Sequence, residues 1–196
     1  MYRIKNKKKT HRNDRFALIA GMGESVFHTQ DLANIWQIRD ANTLYTTLKR
    51  YHQKGLLHRI HKGLYALQPV ERIDPFLLGI KAVRGYAYVS TETVLAREGI
   101  IFQRVPYMTL VGPRSKKFSI GAHRYFVRKL PDQYLHNPLG VEDHGGVKSA
   151  NLTRAVSDML YFNHSAYFDA AHLIDWKAVQ RIQKQIGYPL TRERYK

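Results

Sequence analysis

Two stretches of the chain hold residues whose types could do chemistry. The first carries His136, Glu142, Asp143 and His144, with Asp158 further on. Carboxylates and imidazoles gathered in this way can hold a divalent cation and cleave phosphodiesters. Their spacing matches no metal-ligand frame, so no metal site is expected, and Asp158 reads as a hydrogen-bonding or helix-surface residue. Gly112-Pro113-Arg114-Ser115-Lys116-Lys117 is a basic loop that could grip a phosphate through Arg114, Lys116 and Lys117. It lacks the G-x-x-x-x-G-K-[ST] frame of a nucleotide loop. The sequence contains no cysteine, which excludes disulfides, thiolate zinc sites and cysteine nucleophiles. No catalytic residue and no cofactor is assigned; the chain is expected to bind rather than to catalyse.

The second stretch is 41–54, and its chemistry is recognition. At 100° per residue, Leu44, Leu48 and Tyr51 fall on one side of a helix. Asn42, Thr46, Lys49 and Gln53 fall opposite, flanked by Thr43, Tyr45 and Arg50. Amides, hydroxyls and cations on one face are the groups that read base edges and hold phosphates. An ordinary solvated face is rich in Glu and Lys, whereas residues 41–54 contain no acid.

The elements around that helix form an ordered set. Asp14 to Met22 reads as a first helix, ended by Gly21 and Gly23. Ser25 to Gln37 reads as a second, its regular part Gln30 to Gln37 capped by Thr29, with Leu32, Ile35 and Trp36 making an apolar stripe. Asp40 is placed to cap 41–54, and Gly55 to stop it. A hairpin follows, turned at His61-Lys62-Gly63, with Arg59, His61 and Lys62 at or near its tip. Helix, helix, hairpin is the order of a winged helix-turn-helix, whose second helix usually enters the DNA major groove.

The 196 residues carry 32 Lys and Arg against 15 Asp and Glu, a formal net charge of +17. A field of that sign attracts polyanions, nucleic acid first among them. The charge is shared: 14 basic against 5 acidic residues over 1–72, and 18 against 10 over 73–196. With 44% hydrophobic and 12% aromatic residues, the chain is globular rather than a basic tail. Residues 1–12, which include Lys7, Lys8 and Lys9, read as a disordered basic arm suited to a phosphate backbone. No apolar run approaches the roughly 18 residues of a membrane span, and the N-terminus lacks a signal peptide's apolar stretch. A soluble cytoplasmic protein is expected.

The expected organisation is α+β. The basic arm (1–12) precedes a winged helix-turn-helix domain (13–70). A mixed α/β domain (75–190) follows a boundary marked by Pro69 and Pro75. Within it, helices are expected at Phe76–Arg84, Thr91–Glu98, Ala150–Phe162, Phe168–Ile174 and Trp176–Ile186. Strands are expected at Tyr86–Ser90, Val105–Val111, Phe118–Ile120 and Tyr125–Leu130, and Pro131–Gly146 reads as mostly loop with room for a short strand at Leu139-Gly140-Val141.

Three segments carry a family resemblance. Gly63-Leu64-Tyr65-Ala66-Leu67 resembles the G-x-Y-x-L close of the winged N-terminal domain in AbiEi-type antitoxins. Tyr88-Val89-Ser90, running to Leu95-Ala96-Arg97-Glu98-Gly99-Ile100, is similar to that family's Y-[IV]-S-…-A-L-…-H-G-L helix. Val147 to Leu160 resembles its strand-then-helix [IV]-A-[ST]-P-E-[RK]-A-[LI]-x-D-[LM]-L. The matches are co-linear over about residues 14–162. Asn151-Leu152-Thr153 stands where the family has Pro-Glu, and Glu98 where it has His. The resemblance implies a bacterial repressor of a bicistronic toxin–antitoxin operon. Its N-terminal domain would bind inverted repeats in the operon's own promoter, and its C-terminal domain would serve in neutralising a nucleotidyltransferase-like toxin. The residues leave open a stand-alone winged-helix regulator, a metal-dependent basic nuclease and a protein-interaction module.

Overall fold

The structure is a computed structural model that describes residues 11–191, with side chains from Arg15 onward. The chain divides between Ile73 and Asp74 into two units. Residues 1–10, most of the expected basic arm, lie outside the described residues. His11 and Arg12, expected in that arm, instead open the first helix.

Unit 1 runs α1 (His11–Ala20), β1 (Val26–His28), α2 (Thr29–Ile35), α3 (Ala41–Gln53), β2 (His58–His61) and β3 (Leu64–Ala66). The strands make an antiparallel sheet in the order β1-β3-β2. β1 corrects the expectation of one helix from Ser25. Val26-Phe27-His28 pairs with Leu64–Ala66 instead, giving β3 a partner on each edge, and the branched and aromatic side chains suit a pleated surface. Residue 29 is therefore inside α2. The cap falls to His28, whose backbone amide donates to Asp31. The apolar stripe works as its spacing requires. Leu32 and Trp36 are buried with Phe27, Leu44, Leu48 and Leu57, and Ile35 packs against them. The Trp36 indole donates to the Arg15 carbonyl at 2.9 Å, tying α2 to α1. Leu48 is 1% exposed, so truncation to alanine there would cost about 2–5 kcal/mol. The left-handed residue that closes α3 is Gly55, at φ +68°.

Unit 2 is a mixed six-stranded sheet with helices on both faces. Its elements are α4 (Pro75–Ala82), β4 (Tyr88–Val89), α5 (Glu92–Arg97), β5 (Met108–Gly112), β6 (Lys116–Ile120) and β7 (His123–Lys129). α6 (Asp132–Leu135), β8 (Val141–His144), β9 (Val147–Ala150), α7 (Leu152–Phe162) and α8 (Trp176–Ile186) follow. The strand order is β6-β7-β5-β4-β9-β8. β5 runs parallel to β7, and β4 to β9; the other neighbours are antiparallel. α4 lies against Tyr125, whose hydroxyl donates to the Pro75 carbonyl at 2.8 Å. Gly79 permits that approach, since a Cβ there would stand 2.4 Å from the Tyr125 ring. On the opposite sheet face, Thr109 exchanges bonds with Thr93 at the start of α5. Arg128 pairs with Glu92 and lies over the Phe162 ring.

Three expectations change in unit 2. Lys116 and Lys117 are strand residues rather than loop, because β6 pairs with β7 over its whole length. Residues 141–144 form a strand, because 147–150 provides its partner. The helix expected at 168–174 shrinks to a 3-10 turn at Ala171–Leu173.

A buried polar cluster joins these layers. Arg154 and Asp158, one helical turn apart on α7, are both fully buried, with Nε to Oδ1 at 2.8 Å. The guanidinium also donates to the Asn137 and Leu139 carbonyls and to the Tyr88 hydroxyl. The carboxylate accepts from Tyr88, Ser90 and Tyr188 at 3.0, 2.7 and 2.7 Å. The cluster gathers β4, α7, the 137–139 loop and the residue after the α8 stop.

Burial, then the Asp158 charge, pushes the Tyr88 and Tyr188 phenols far above their ordinary range. Burial likewise pushes Tyr125 up to about 12. Breaking the pair leaves one ion buried alone, so Asp158→Ala should destabilise unit 2 by about 3–5 kcal/mol, whereas the double apolar replacement Arg154→Met with Asp158→Leu should cost much less. Denaturant melts of the three proteins check this. A raised folded-state phenol pKa adds stability that is whole below the ordinary value of 10 and is lost above it. Stability should therefore fall as pH rises from 10 through about 12, the Tyr125 value. In an alkaline titration at a tyrosine-specific wavelength, the last phenols should ionise only as the chain unfolds.

Candidate nucleic-acid interface

α3 turns one face to the core and a polar, basic face to the surface. Asp40 caps it, accepting from the Thr43 amide at 2.7 Å and the Thr43 hydroxyl at 2.6 Å. These bonds, the hydroxyl's first, hold the Asp40 carboxyl below its ordinary range. Leu44 and Leu48 face the core. Asn42, Thr46, Lys49 and Gln53 are exposed together on the other side, with Thr43, Tyr45 and Arg50 exposed beside them. Tyr45 is 60% exposed, a large aromatic that no packing requirement places there. The Thr43 hydroxyl is committed to Asp40 as donor, so toward a ligand it can only accept. Thr47, on the flank, donates in the same way to the Thr43 carbonyl.

The hairpin brings Arg59, His61 and Lys62 to the surface of unit 1. Gly63 takes φ +85° at the turn, and its carbonyl accepts from the Thr29 amide at 2.9 Å. That bond fixes the turn to the start of α2. Arg59 and His61, two apart on β2, are exposed on the same side, as strand alternation requires, and a register shift lies between them. Lys7, Lys8 and Lys9 lie outside the described residues.

The carboxylate and imidazole group of the second half is dispersed. Glu142 meets His144 at 3.3 Å. Asp143 accepts from Lys148 at 2.6 Å and from the Gly146 amide, which hold its carboxyl below the ordinary range, and the Asp143 carboxylate in turn raises the pKa of Lys148. His136 packs on the Tyr86 ring, and Asp158 is sealed in the buried cluster. Among the described residues, no three His, Asp or Glu side chains come together as a metal would require.

One basic surface escapes a reading by motif. Residues 99–131 hold seven Lys and Arg and no acid. On β6 and β7 these cations line up against aromatic rings. Lys117 lies over Tyr107 and Phe126 at 5.2 and 5.0 Å, Arg124 over Tyr107 at 5.3 Å, and Arg128 over Phe126 at 5.1 Å. Rings beneath cations hold long side chains in place at little electrostatic cost. Lys117 and Arg124 are thereby held as exposed positive groups on one sheet face, while Arg128 is paired with Glu92. The available signal was the acid-free run combined with the period-2 alternation of residues 123–129.

No known family's sequence profile matches the chain, and no curated protein matches it. Among solved structures, the chain is similar to the crystal structure of the RV2827C protein from Mycobacterium tuberculosis. The TM-score is 0.51 at 13% identity, over 94% of this chain and 74% of that one. At that identity the likeness speaks for the α+β fold alone.

Proposed function

We propose that the chain is a sequence-specific double-stranded DNA-binding repressor, with unit 1 a winged helix-turn-helix. α2 and α3 form the helix-turn-helix, and the β2–β3 hairpin forms the wing. The observation that carries this reading is the outward face of α3: amide, hydroxyl and cationic groups with no acid, opposite a buried leucine stripe. Asn42, Thr46 and Gln53 would meet base edges, and Lys49, Arg50, Arg59 and Lys62 phosphates. Lys117 and Arg124 of unit 2, both exposed, support further phosphate contacts. The resemblance to AbiEi-type antitoxins extends the proposal to an operon's own promoter, probed at inverted repeats, with a nucleotidyltransferase-like toxin as the functional partner.

Retardation of the duplex upstream of the gene, against random duplex, tests the assignment. Asn42→Ala should narrow the ratio between the two, each lost base contact costing about 1–3 kcal/mol. Lys62→Ala should weaken both duplexes alike and flatten the salt dependence by about one unit of slope. An unchanged ratio with Asn42→Ala would show that this face does not read bases. A nucleotidyltransferase-like reading frame next to the gene, whose toxicity this chain suppresses, would support the antitoxin role.

A further inference from the structure

Unit 1 contains a cleft of about 350 Å³ between α1, α3 and the turn after α3. Phe16, Tyr51 and Leu56 give it an apolar lining, and Arg15, Arg50 and Lys54 give it three cations. No acid lines it among the described residues. The lining is supported from behind. Tyr51 meets Phe16 edge-on at 6.4 Å and Trp36 at 5.4 Å, and Trp36 is itself buried and bonded to Arg15. The aromatic wall thus packs against the core, which holds it in place. Thr47 completes the lining. Its hydroxyl already donates to the Thr43 carbonyl at 2.8 Å, so it can accept from a ligand N–H or O–H but has no proton to offer an anion.

These features select one ligand chemistry. Concave sites of this size take small organic molecules. The apolar ring wall suits a flat ring, and the three cations of the lining suit a phosphate on that ring's substituent. The α3 C-terminus lies nearby and carries about half a negative charge. Three full positive charges outweigh it. We infer that this cleft binds a small aromatic phosphate of mononucleotide size, its ring against Tyr51 and Phe16 and its phosphate held by Arg15, Arg50 and Lys54. Arg50 also flanks the outward face of α3. Resting on the DNA-binding reading, the inference adds that an occupied cleft draws Arg50 away from a duplex, so ligand and DNA weaken each other's binding.

Calorimetry on the full chain tests the site without DNA, using adenosine monophosphate as the probe. Saturable binding is expected, weakened about tenfold in Arg50→Ala by loss of a charge-assisted contact. Lys184→Ala, an equal charge change on exposed α8 surface, should leave it unaltered. Adenosine and inorganic phosphate each supply half of the recognition and should bind far more weakly. Binding weaker than about 1 mM, equal binding of inorganic phosphate, or equal losses in Arg50→Ala and Lys184→Ala would overturn the site. Retardation of duplex with and without the nucleotide tests the coupling. Unmoved duplex affinity at a saturating nucleotide concentration overturns that part. A chain that binds the nucleotide but retards no duplex refutes the DNA reading and leaves the cleft standing.

Discussion

Unit 2 depends on a pair of charges placed where water cannot reach them. Arg154 and Asp158 are each 0% exposed, and burying two ions costs several kcal/mol apiece before their attraction is counted. The cost is met only because every remaining valence is filled. The guanidinium reaches the carbonyls of Tyr134, Asn137 and Leu139 and the Tyr88 phenol, and the carboxylate takes three hydroxyls. This requirement dictates what surrounds it. The loop carbonyls must come close, and Gly140 lets them: it takes φ +69°, and a Cβ there would meet Arg154 Cβ at 2.7 Å. Tyr88 must lie on β4 and Tyr188 just past α8. The sheet, two helices and a loop are thus held at one point by hydrogen-bond direction, which is more selective than apolar contact.

Unit 1 is held by different means. Its core is aromatic and aliphatic, and its helix ends are closed by Asp40 and Gly55. It has no buried ion pair among its described residues. That leaves its outward cations with few local counter-charges. A surplus of positive charge repels itself and lowers the stability of the compact state. The chain as a whole carries a formal +17, so a polyanion is the partner that would relieve the repulsion in either unit.

How much of this was legible in the sequence depended on how local its determinants are. α3 could be read because cap, stripe and glycine stop all lie within 40–55. α8 could be read for the same reason, with Asp175 capping it and Gly187 stopping it at φ +91°. β1 could not, since a three-residue strand exists only because Leu64–Ala66 offers an edge. The Lys116-Lys117 strand needed β7 in the same way. The outward face of α3 was visible as an acid-free helix flank. The cleft was not, because it needs Arg15 and Phe16 brought against Tyr51 from across the unit. Asp158 could be read as a hydrogen-bonding or helix-surface residue, but not its burial with Arg154, because the hydroxyls and carbonyls that let the pair go inside come from distant segments.

The strand order of unit 2 has a consequence for how the chain is made. β5 and β6 are consecutive in sequence but are not neighbours; β7 lies between them, parallel to one and antiparallel to the other. A chain emerging from the ribosome has therefore completed both outer strands before the central one exists. Until residues 123–129 appear, β5 and β6 each present an unpaired edge, which is the state most open to pairing with a second chain. β6 meets that hazard with Lys116 and Lys117 at its leading end, where like charges keep copies apart. Insertion of β7 then closes both facing edges in one step, before β8 and β9 complete the other half of the sheet.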